Sequence, residues 1–499
     1  MDVIFWTCVH SPTVIFRAIG PYQLAWWLRT KGYNCQVIDM VHTMTVDELV
    51  LYTEKFITGN TLCIGVSSTF FSNFNSETKR NHWVRQIPRM YVEAIKVIKE
   101  RYPNIKIVLG GGLCDLLNPK ELSIFDVTIM GEAEDSFLEV LEEWRKGRKF
   151  VFATESRGGR PYITTAKEKH FNIEECSHKF SEQDCIIDGE TLPIEISRGC
   201  IFKCKFCQYA HIGKTKFDYL RREELIKEEI DYNYKHFKTT NYYILDDTFN
   251  DSDYKMQMWK RIVDSLDHKI NYTGYLRADL LQRRPEHIEL LQDTGLMTAF
   301  FGIESFHPDA SRLVGKAWSG KGGKAFLIEL KDKWKEDITF HLSMIVGLPP
   351  ETEEDYLVSQ QWCIDNNMDT WHWNILMLTP GQRLYASEFD KDPKAFGFNY
   401  DYFSRTWSSA YMTQYKAVEI CAKLNSQIGV EYRKTGTQPG TGKNAGFKFT
   451  SWAAMSLMNF GLDRQQLNTL PMNGLMHLVR QGRDPFILKY KEKLKNISV

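Results

Sequence analysis

The sequence predicts an α/β protein with two parallel sheets and a mainly helical C-terminal region. Short apolar runs alternate with amphipathic helical runs along most of the chain, which is typical of parallel sheets covered by helices. The alternation is interrupted between about residues 151 and 190, where periodicity is weak. A chain of 499 residues is also too long for one core. The predicted division is therefore 1–150, a linker at 151–190, 191–384 and 385–499.

The first region predicts a doubly wound, Rossmann-like sheet. Its strands are expected at 2–8, 35–39, 62–67, 105–109 and 127–130, and its helices at 21–30, 46–57, 90–101 and 136–145. Ligands of such sheets bind at the C-terminal ends of the strands. Those ends carry Ser67, Ser68, Gly110, Gly111, Gly112, Gly131 and Glu132. Because glycine lets a ligand approach the backbone closely, we expect a binding site at this edge.

The second region predicts six β/α repeats, which would form a partial barrel that is open on one side. Strands are expected at 192–197, 241–245, 271–276, 298–303, 339–346 and 371–377, with helices at 222–236, 254–266, 285–291, 323–334 and 353–366. Barrel enzymes carry their chemistry at the C-terminal ends of the strands. In this chain that rim carries Asp246, Asp247, Arg277, Glu304, Ser305 and Gly347. We therefore expect the reactive site there.

Three cysteines lie close together after the first predicted strand of the barrel. Cys200, Cys204 and Cys207 have the spacing C-x₃-C-x₂-C, and no fourth cysteine is near them. A structural zinc site needs four ligands, so this trio would suit zinc only if a distant histidine completed the site. A four-iron cluster held by three thiolates leaves one iron open to a small molecule. The spacing therefore favours an iron–sulfur cluster.

The cysteine run and its surroundings resemble the radical S-adenosylmethionine (radical SAM) superfamily. Residues 194–200 match the usual lead into the cluster, and Phe206 matches the aromatic residue before the third cysteine. Residues 243–249, 301–305 and 345–349 resemble the signatures of the second, fourth and fifth barrel strands. The resemblance implies that the three cysteines hold a [4Fe-4S] cluster, which cleaves SAM to a 5′-deoxyadenosyl radical.

The same resemblance implies contacts with SAM along the barrel rim. The candidates are Phe206, Asp246, Asp247, Arg277, Glu304, Ser305 and Gly347. The two aspartates would lie near the amino and ribose groups of SAM, or would form a helix N-cap and a turn. Arg277 would pair with the SAM carboxylate, or with Asp279 or Glu304. Glu304 and Ser305 would bind SAM or make structural hydrogen bonds, and Gly347 would approach adenine or form a plain turn.

The first region resembles the cobalamin-binding domain that precedes the radical SAM domain in one large subfamily. The matching stretches are 20–25, 28–39, 65–67 and 131–134. The implied cobalamin contacts are Ser67, Ser68, Gly110, Gly111, Gly112, Gly131 and Glu132. Domains that supply an axial histidine carry Asp-x-His-x-x-Gly after the first strand, and this chain lacks that motif. Cobalamin would therefore bind without a protein histidine, or the domain keeps only the fold, and His10 and His42 are expected to be ordinary loop residues.

The composition indicates the cellular compartment and excludes some classes of partner. The chain has 63 basic and 63 acidic residues, so it lacks a bulk field for extended nucleic acid or an anionic membrane. It also lacks a signal-like N-terminus and a long apolar run, and its other cysteines are scattered, so we expect a cytoplasmic protein. The last region is expected to be helical at 413–424, 455–460 and 475–481, and to cover the open side of the barrel.

These features together predict a cobalamin-dependent radical SAM enzyme that methylates an unactivated carbon. In such enzymes one SAM methylates cobalt and a second yields the radical, with electrons from a donor such as flavodoxin or ferredoxin. The substrate would be a small molecule, a nucleoside or a peptide. Alternatives are rearrangement, cyclisation or C–C bond formation without methyl transfer, a methylthiotransferase, or a non-catalytic cobalamin or iron–sulfur sensor. A methylthiotransferase would need a second cluster, and Cys8, Cys35 and Cys63 lie within or beside predicted strands.

Overall fold

The computed structural model confirms an α/β protein with two parallel sheets. It describes residues 1–9, 15–69, 87–112, 114, 117, 119–148, 155–157, 159–164, 171–207, 219–316, 318, 320–335, 337–381, 386–435, 458–460 and 472–498.

The N-terminal sheet has seven strands in the order β2-β1-β3-β4-β5-β7-β6. The strands are β1 (Val3–Trp6), β2 (Cys35–Ile38), β3 (Cys63–Ser67), β4 (Lys106–Gly110), β5 (Val127–Met130), β6 (Glu155–Arg157) and β7 (Arg160–Thr164). All pairs are parallel except β6 with β7. Strands β1, β2 and β5 are buried along their whole length, as expected for a sheet covered on both faces.

Helices cover both faces of this sheet. They are α1 (Ile19–Thr30), α2 (Val46–Phe56), α3 (Arg89–Arg101), α4 (Pro119–Leu122) and α5 (Glu134–Arg145). Phe5 belongs to a core with α1 and α5 that continues into the second sheet, whereas Trp6 belongs to a separate core with α2 and α3. The alternation along β1 thus separates a face directed at the rest of the protein from an outer face.

Part of the segment predicted as a linker, 151–190, contributes two strands to the first sheet. β7 pairs with β5 in parallel, and β6 returns antiparallel beside it. Gly159, at the turn between them, has φ +74°, a conformation that favours glycine. The sequence did not predict these two strands because their residues, ESR and RPYIT, contain no apolar run.

The second sheet is the predicted six-stranded parallel partial barrel, with neighbouring strands in sequence order. Its strands are β8 (Leu192–Ile194), β9 (Asn241–Ile244), β10 (Asn271–Leu276), β11 (Leu296–Glu304), β12 (Thr339–Val346) and β13 (Thr370–Ile375). Its helices are α6 (Glu223–Phe237), α7 (Asp253–Asp264), α8 (Ala278–Arg283), α9 (Glu286–Asp293), α10 (Pro308–Leu313), α11 (Gly320–Trp334) and α12 (Glu353–Asp365). The sheet order leaves β8 and β13 as its two edges.

The C-terminal region is mainly helical and covers two different surfaces. It contains α13 (Glu388–Lys391), the antiparallel strands β14 (Phe398–Asp401) and β15 (Thr406–Ser409), α14 (Gln414–Thr435) and α15 (Met472–Asn496). Asn425 on α14 donates to the Trp373 carbonyl of the edge strand β13 at 3.0 Å, as expected for a barrel cover. α15 instead packs on the outer core of the N-terminal domain, where the Tyr490 hydroxyl accepts from the backbone N–H of Asp39 at 2.7 Å. Three of the six residues predicted to be helical at 455–460 lie outside the described residues.

Among the residues that the structure describes, none of the helices has both the length and the apolar character required to cross a bilayer.

Candidate active site

The three clustered cysteines lie on the loop that follows the edge strand β8. Cys200 is buried, whereas Cys204 and Cys207 are partly exposed, and none of the three is in a disulfide. The backbone N–H of Cys207 donates to the Cys204 carbonyl at 3.0 Å, so a tight turn joins the second and third cysteines. Thiolates on one loop are the donor set that an iron–sulfur cluster requires, so these residues suit the predicted cluster.

Asp246 fixes the chain that leads into the cysteine loop. One carboxylate oxygen accepts the backbone N–H groups of Ile196 and Ser197 at 2.9 and 3.0 Å, and the other accepts the Ser197 hydroxyl at 2.6 Å. The Lys255 ammonium lies 2.6 Å from the second oxygen, and both side chains are fully buried. Asp246 thus uses its oxygens inside the protein, and its predicted contact with SAM gives way to a structural role.

Lys255 on α7 is the cation that makes this arrangement stable. Its ammonium also donates to the Ser197 hydroxyl at 2.7 Å and to the Thr248 carbonyl at 3.1 Å. Burial lowers the pKa of Lys255, but Asp246 and Asp251 more than reverse this and hold the pKa above its ordinary value. The result is a buried, hydrogen-bonded ion pair directly beneath the cysteine loop.

Asp247, the neighbouring residue, has a different environment. Its side chain is exposed to a cavity that it lines. The enclosing protein raises the pKa of Asp247 to about 7, with further contributions from Asp246 and Glu195 and an opposing one from Lys255. Asp247 therefore presents an accessible carboxyl group at the end of β9, which is what its predicted contact with SAM requires.

Arg277, at the end of β10, forms the ion pair that the sequence left open as an alternative to a SAM contact. Its Nε and Nη2 each donate to a carboxylate oxygen of Asp279 at 2.9 Å. Its Nη1 points to the Cys204 sulfur at 3.6 Å, and its guanidinium lies 4.1 Å from the centre of the Phe202 ring. Arg277 thus braces the cysteine loop and aims an N–H group at one thiol.

Glu304 and Ser305, at the end of β11, make structural hydrogen bonds, which was the alternative to SAM binding. Glu304 has φ +66°, and its carboxylate accepts from Lys316 at 2.8 Å. The Ser305 hydroxyl accepts the backbone N–H of His307 at 2.9 Å. The pairing of β11 with β12 shifts between Gly302 and Glu304, so a bulge turns this end of the strand.

Gly347, at the end of β12, was predicted to approach adenine, but it lies against the indole ring of Trp407. It has φ +113°, and a Cβ there would lie 2.6 Å from Cη2 of Trp407 and 3.2 Å from Cβ of Leu376. The Trp407 indole N–H donates to the Leu376 carbonyl at 2.9 Å. The β14–β15 hairpin therefore occupies the surface that the sequence assigned to adenine. Phe206 packs against the main core.

Replacing Gly347 by alanine should reduce the free energy of unfolding by about 2–5 kcal/mol, since left-handed strain adds to a steric clash. Gly381→Ala is the matched control, because Gly381 has φ +91° but open space around its Cα. The control should cost only about 1–2 kcal/mol, measured by urea unfolding. Equal losses in the two variants would contradict the role given to Trp407.

A cavity of about 450 Å³ separates the C-terminal ends of the two sheets. Six of the seven predicted cobalamin contacts line it: Ser67, Gly110, Gly111, Gly112, Gly131 and Glu132. Ser68 lies behind the wall, because its hydroxyl is buried and donates to the Gly110 carbonyl at 2.8 Å. The opposite wall includes Tyr243, Leu245 and Asp247 from the barrel.

Glycines shape the N-terminal wall of this cavity. Gly111 has φ +113°, and a Cβ there would lie 2.8 Å from the Ser68 hydroxyl oxygen. Gly20, at the start of α1, has nothing within 4 Å of an added Cβ, so a side chain there would extend into the cavity. The wall is therefore open backbone with apolar neighbours, which suits a large, flat ligand such as the predicted cobalamin.

Arg198, two residues before the first clustered cysteine, joins the two domains at the cavity edge. It donates two hydrogen bonds of 2.9 Å to Glu195 and one of 2.8 Å to Glu134 of the N-terminal domain. Burial raises the pKa of Glu195, but Arg198 more than offsets this, so the pKa lies below its ordinary value. The cysteine loop and the cavity wall thus share one ionic network.

The cysteines of the N-terminal domain do not converge. Cys35 and Cys63 both pair in register with Val3 at the start of β1. Cys8 follows the other end of β1, about 16 Å along the chain direction at roughly 3.3 Å per residue, and its thiol lies 3.4 Å from the Tyr91 hydroxyl. These three thiols cannot hold one cluster in this arrangement.

Several residues of the site carry no signal in the sequence. Lys255 and Lys316 look like solvent-facing lysines in a helix and a loop, and only the fold brings them to Asp246 and Glu304. Trp407 lies in a segment without a recognisable motif. Partners far apart in sequence are fixed by tertiary packing, so local spacing does not reveal them.

Comparison with known proteins agrees with the geometry of the barrel. Residues 194–363 match the family model of the radical SAM superfamily. An uncharacterized methyltransferase of Pyrococcus horikoshii is 25% identical over 386 residues, covering 74% of this chain and 77% of that protein. The hopanoid C-3 methylase of Methylococcus capsulatus is 23% identical over 377 residues, covering 72% of this chain and 67% of that protein.

The whole chain also has a structural counterpart. TsrM of Kitasatospora setae, a radical S-adenosylmethionine methyltransferase solved with its tryptophan substrate and a SAM analogue, superimposes with a TM-score of 0.65. The match covers 97% of this chain and 100% of TsrM at 13% identity, so it establishes a common fold. A second structure of TsrM, with cobalamin and a [4Fe-4S] cluster bound, gives a TM-score of 0.63.

Proposed function

We propose that this chain, whose residues 194–363 match the radical SAM superfamily, is a cobalamin-dependent radical SAM enzyme that methylates an unactivated carbon of a small molecule. The observation that carries the proposal is the cavity between the two sheets. It is lined by glycines of the N-terminal domain on one side, and by Ser197, Arg198 and Gly199 of the cysteine loop on the other. A ligand held there lies between the Rossmann-like domain and the barrel rim.

The cysteines, the rim and the cavity would have separate tasks. Cys200, Cys204 and Cys207 would hold the cluster, and Asp247 would contact SAM at the end of β9. When bound, the cluster and SAM supply a carbon radical, and cobalamin supplies the methyl group. The chain itself holds the loop with Asp246 and Lys255, closes the cavity edge with Arg198, and surrounds the reactants with apolar residues that exclude water.

The cobalamin would bind without a protein histidine. Among the described residues, the cavity wall contains no histidine. His42 lies on a short 3₁₀ helix (Val41–Thr43) after β2, and His10 lies outside the described residues. The small side chains and glycines of the wall support the histidine-free mode over the loss of the cofactor, since the cavity persists.

The alternatives are less well supported. A methylthiotransferase would need a second cluster, and the separation of Cys8 from Cys35 and Cys63 argues against one. A non-catalytic sensor does not need a carboxyl group at the barrel rim to contact SAM. Asp247 nevertheless presents such a group beside the cavity, which favours an enzyme. Radical rearrangement without methyl transfer shares the barrel, and only product analysis separates it from methylation.

The test is anaerobic purification with cobalamin supplied, followed by reaction with SAM and a strong reductant. We expect bound cobalamin, together with both S-adenosylhomocysteine and 5′-deoxyadenosine by mass spectrometry. Cys204→Ala should lose the cluster absorbance and 5′-deoxyadenosine, whereas Cys176→Ala, a partly exposed cysteine outside the trio, should keep both. 5′-Deoxyadenosine without bound cobalamin would contradict methyl transfer and favour rearrangement.

A further inference from the structure

Four polar side chains from the last two barrel strands face the lumen. His341 and Ser343 alternate along β12, and His372 and Asn374 alternate along β13. The intervening residues face outward: Leu342 and Met344 are fully buried in the core, and the Trp373 indole N–H donates to Gln360 of α12 at 2.8 Å. The alternation of a strand therefore turns the four polar side chains inward. We name His341, Ser343, His372 and Asn374 the lumen ring.

The lumen ring is one continuous hydrogen-bonded chain. The Asn374 amide group donates to His372 Nε2 at 2.7 Å and to the Ser343 hydroxyl at 3.0 Å. His372 Nδ1 contacts His341 Nε2, and His341 Nδ1 contacts the Thr370 hydroxyl. Since Asn374 donates to His372 Nε2, the proton of His372 lies on Nδ1. His372 Nδ1–H donates to His341 Nε2, and His341 Nδ1–H donates to the Thr370 hydroxyl oxygen.

Burial favours the neutral form of both histidines. Burial lowers the pKa of His341 well below its ordinary value, and His372 acts in the same direction. Burial also lowers the pKa of His372, although Asn374 and Glu304 partly oppose the shift. Glu304 is itself paired with Lys316 at 2.8 Å. The lumen ring therefore offers hydrogen bonds without net charge.

Two hydrogen-bonding groups of the ring stay available. The Asn374 side chain is exposed, and its carbonyl oxygen accepts nothing from the described residues. The Ser343 oxygen accepts from Asn374, which leaves its O–H group free to donate. An acceptor on the edge strand β13 and a donor on the neighbouring strand β12 thus lie side by side.

An aromatic wall borders these groups. The Phe300 ring is stacked on His341, with centroids 5.0 Å apart, and its centroid is 6.0 Å from that of His372. Tyr275 meets the edge of Phe300 at 4.9 Å. Phe300 and Tyr275 are only partly buried, so the wall faces an accessible lumen. Such a wall favours a planar partner.

We propose that the lumen ring is the substrate subsite and that it recognises a neutral, planar group carrying a donor beside an acceptor, such as a carboxamide on an aromatic ring. The subsite lies on β12 and β13, across the sheet from the strands β8 to β10 that line the cavity. A carboxylate would meet the Asn374 carbonyl without a free counter-charge, so it binds poorly. That the bound molecule is the substrate rests on the proposed function. The chemical class of the ligand rests on the geometry of the lumen alone.

Nicotinamide and nicotinate test the ligand class, because they share a ring and differ in amide against carboxylate. Binding to the purified full-length enzyme is measured by ligand-observed NMR titration. We expect saturable binding of nicotinamide and at least tenfold weaker binding of nicotinate. Asn374→Ala and Ser343→Ala should each raise the Kd for nicotinamide at least fivefold. Asn399→Ala, an exposed asparagine on β14, is the matched control and should not change it.

Three results would overturn the inference: no saturable binding of nicotinamide, equal binding of nicotinate, or an unchanged Kd in both ring variants. The titration needs neither cobalamin nor turnover. A failure of methyl transfer with selective nicotinamide binding would therefore reject the proposed function alone, and the reverse pattern would reject the lumen ring alone.

Discussion

Asp246→Ala should lower the free energy of unfolding by about 3–5 kcal/mol, because it takes from the fully buried Lys255 ammonium its nearer carboxylate, at 2.6 Å, and leaves only Asp251 at 3.4 Å. It also removes the acceptor of the Ile196 and Ser197 backbone N–H groups, which hold the chain entering the cysteine loop. We therefore expect both a lower urea midpoint and a lower iron content after anaerobic purification. Urea unfolding and colorimetric iron analysis measure the two effects.

The adjacent residue supplies the control. Asp247→Ala removes the same group from an exposed side chain, so its effect on stability should be below about 1 kcal/mol. The double variant Asp246→Ala/Lys255→Met should recover part of the lost stability, because the buried ammonium is removed. The recovery should be incomplete, since Asp251 loses its 3.4 Å contact with Lys255 and keeps the hydrogen bond from the Tyr219 hydroxyl at 3.0 Å. Equal effects of the two single variants, or no recovery in the double variant, would refute the buried ion pair as the cause.

Glu190→Ala should destabilise the chain by a similar amount, about 3–5 kcal/mol. Glu190 accepts two hydrogen bonds from Arg17, at 2.7 and 2.9 Å, and both side chains are fully buried. Arg17 also donates to the Tyr22 hydroxyl at 2.6 Å and to the Asp184 carbonyl at 2.8 Å. These bonds connect the N-terminal domain with the segment that leads into the barrel, so urea unfolding of both domains should shift together.

Glu93→Ala is the control for this prediction. Glu93 pairs with Arg89 on the surface of α3, where the arginine side chain is 91% exposed, and its loss should cost less than about 0.5 kcal/mol. A Glu190 variant that unfolds at the wild-type urea concentration would mean that the Arg17 contacts do not couple the domains.

The order of strands and helices was predictable because most of these elements carry an apolar run or an amphipathic pattern of their own. The six barrel strands and the first five strands of the N-terminal sheet were all predicted from apolar runs, although β8 has only 3 residues. β6 and β7 were missed because their sequences, ESR and RPYIT, contain no such run. The helix predicted at 285–291 proved to be the second of a pair, α8 and α9, separated near Pro285.

The residues of the candidate site also fall into those that the sequence predicted and those that it could not predict. The cysteine trio and the glycine-rich strand ends follow from local spacing. The trio lies on the loop after β8, and six of the seven strand-end residues line the cavity, while their contacts with a cluster and with cobalamin stay predictions. The partners of Asp246 and Glu304 could not be read from spacing, since Lys255 and Lys316 reach them only through the fold. The partner of Arg277 is Asp279, which the sequence had offered as an alternative to SAM. The lumen ring had a weak signal, because histidine alternates with apolar residues in β12 and β13.

The sequence by itself determined the two parallel sheets, their order and the loop that carries three cysteines, because strand periodicity and cysteine spacing are local properties. Only the tertiary structure decided which rim residues line the cavity and which have their polar groups engaged in hydrogen bonds and ion pairs within the protein. Asp246 and Asp247 are neighbours with the same side chain, yet one is buried against Lys255 and the other lines the cavity. The physical reason is that burial and ion pairing depend on side chains brought together from distant parts of the chain.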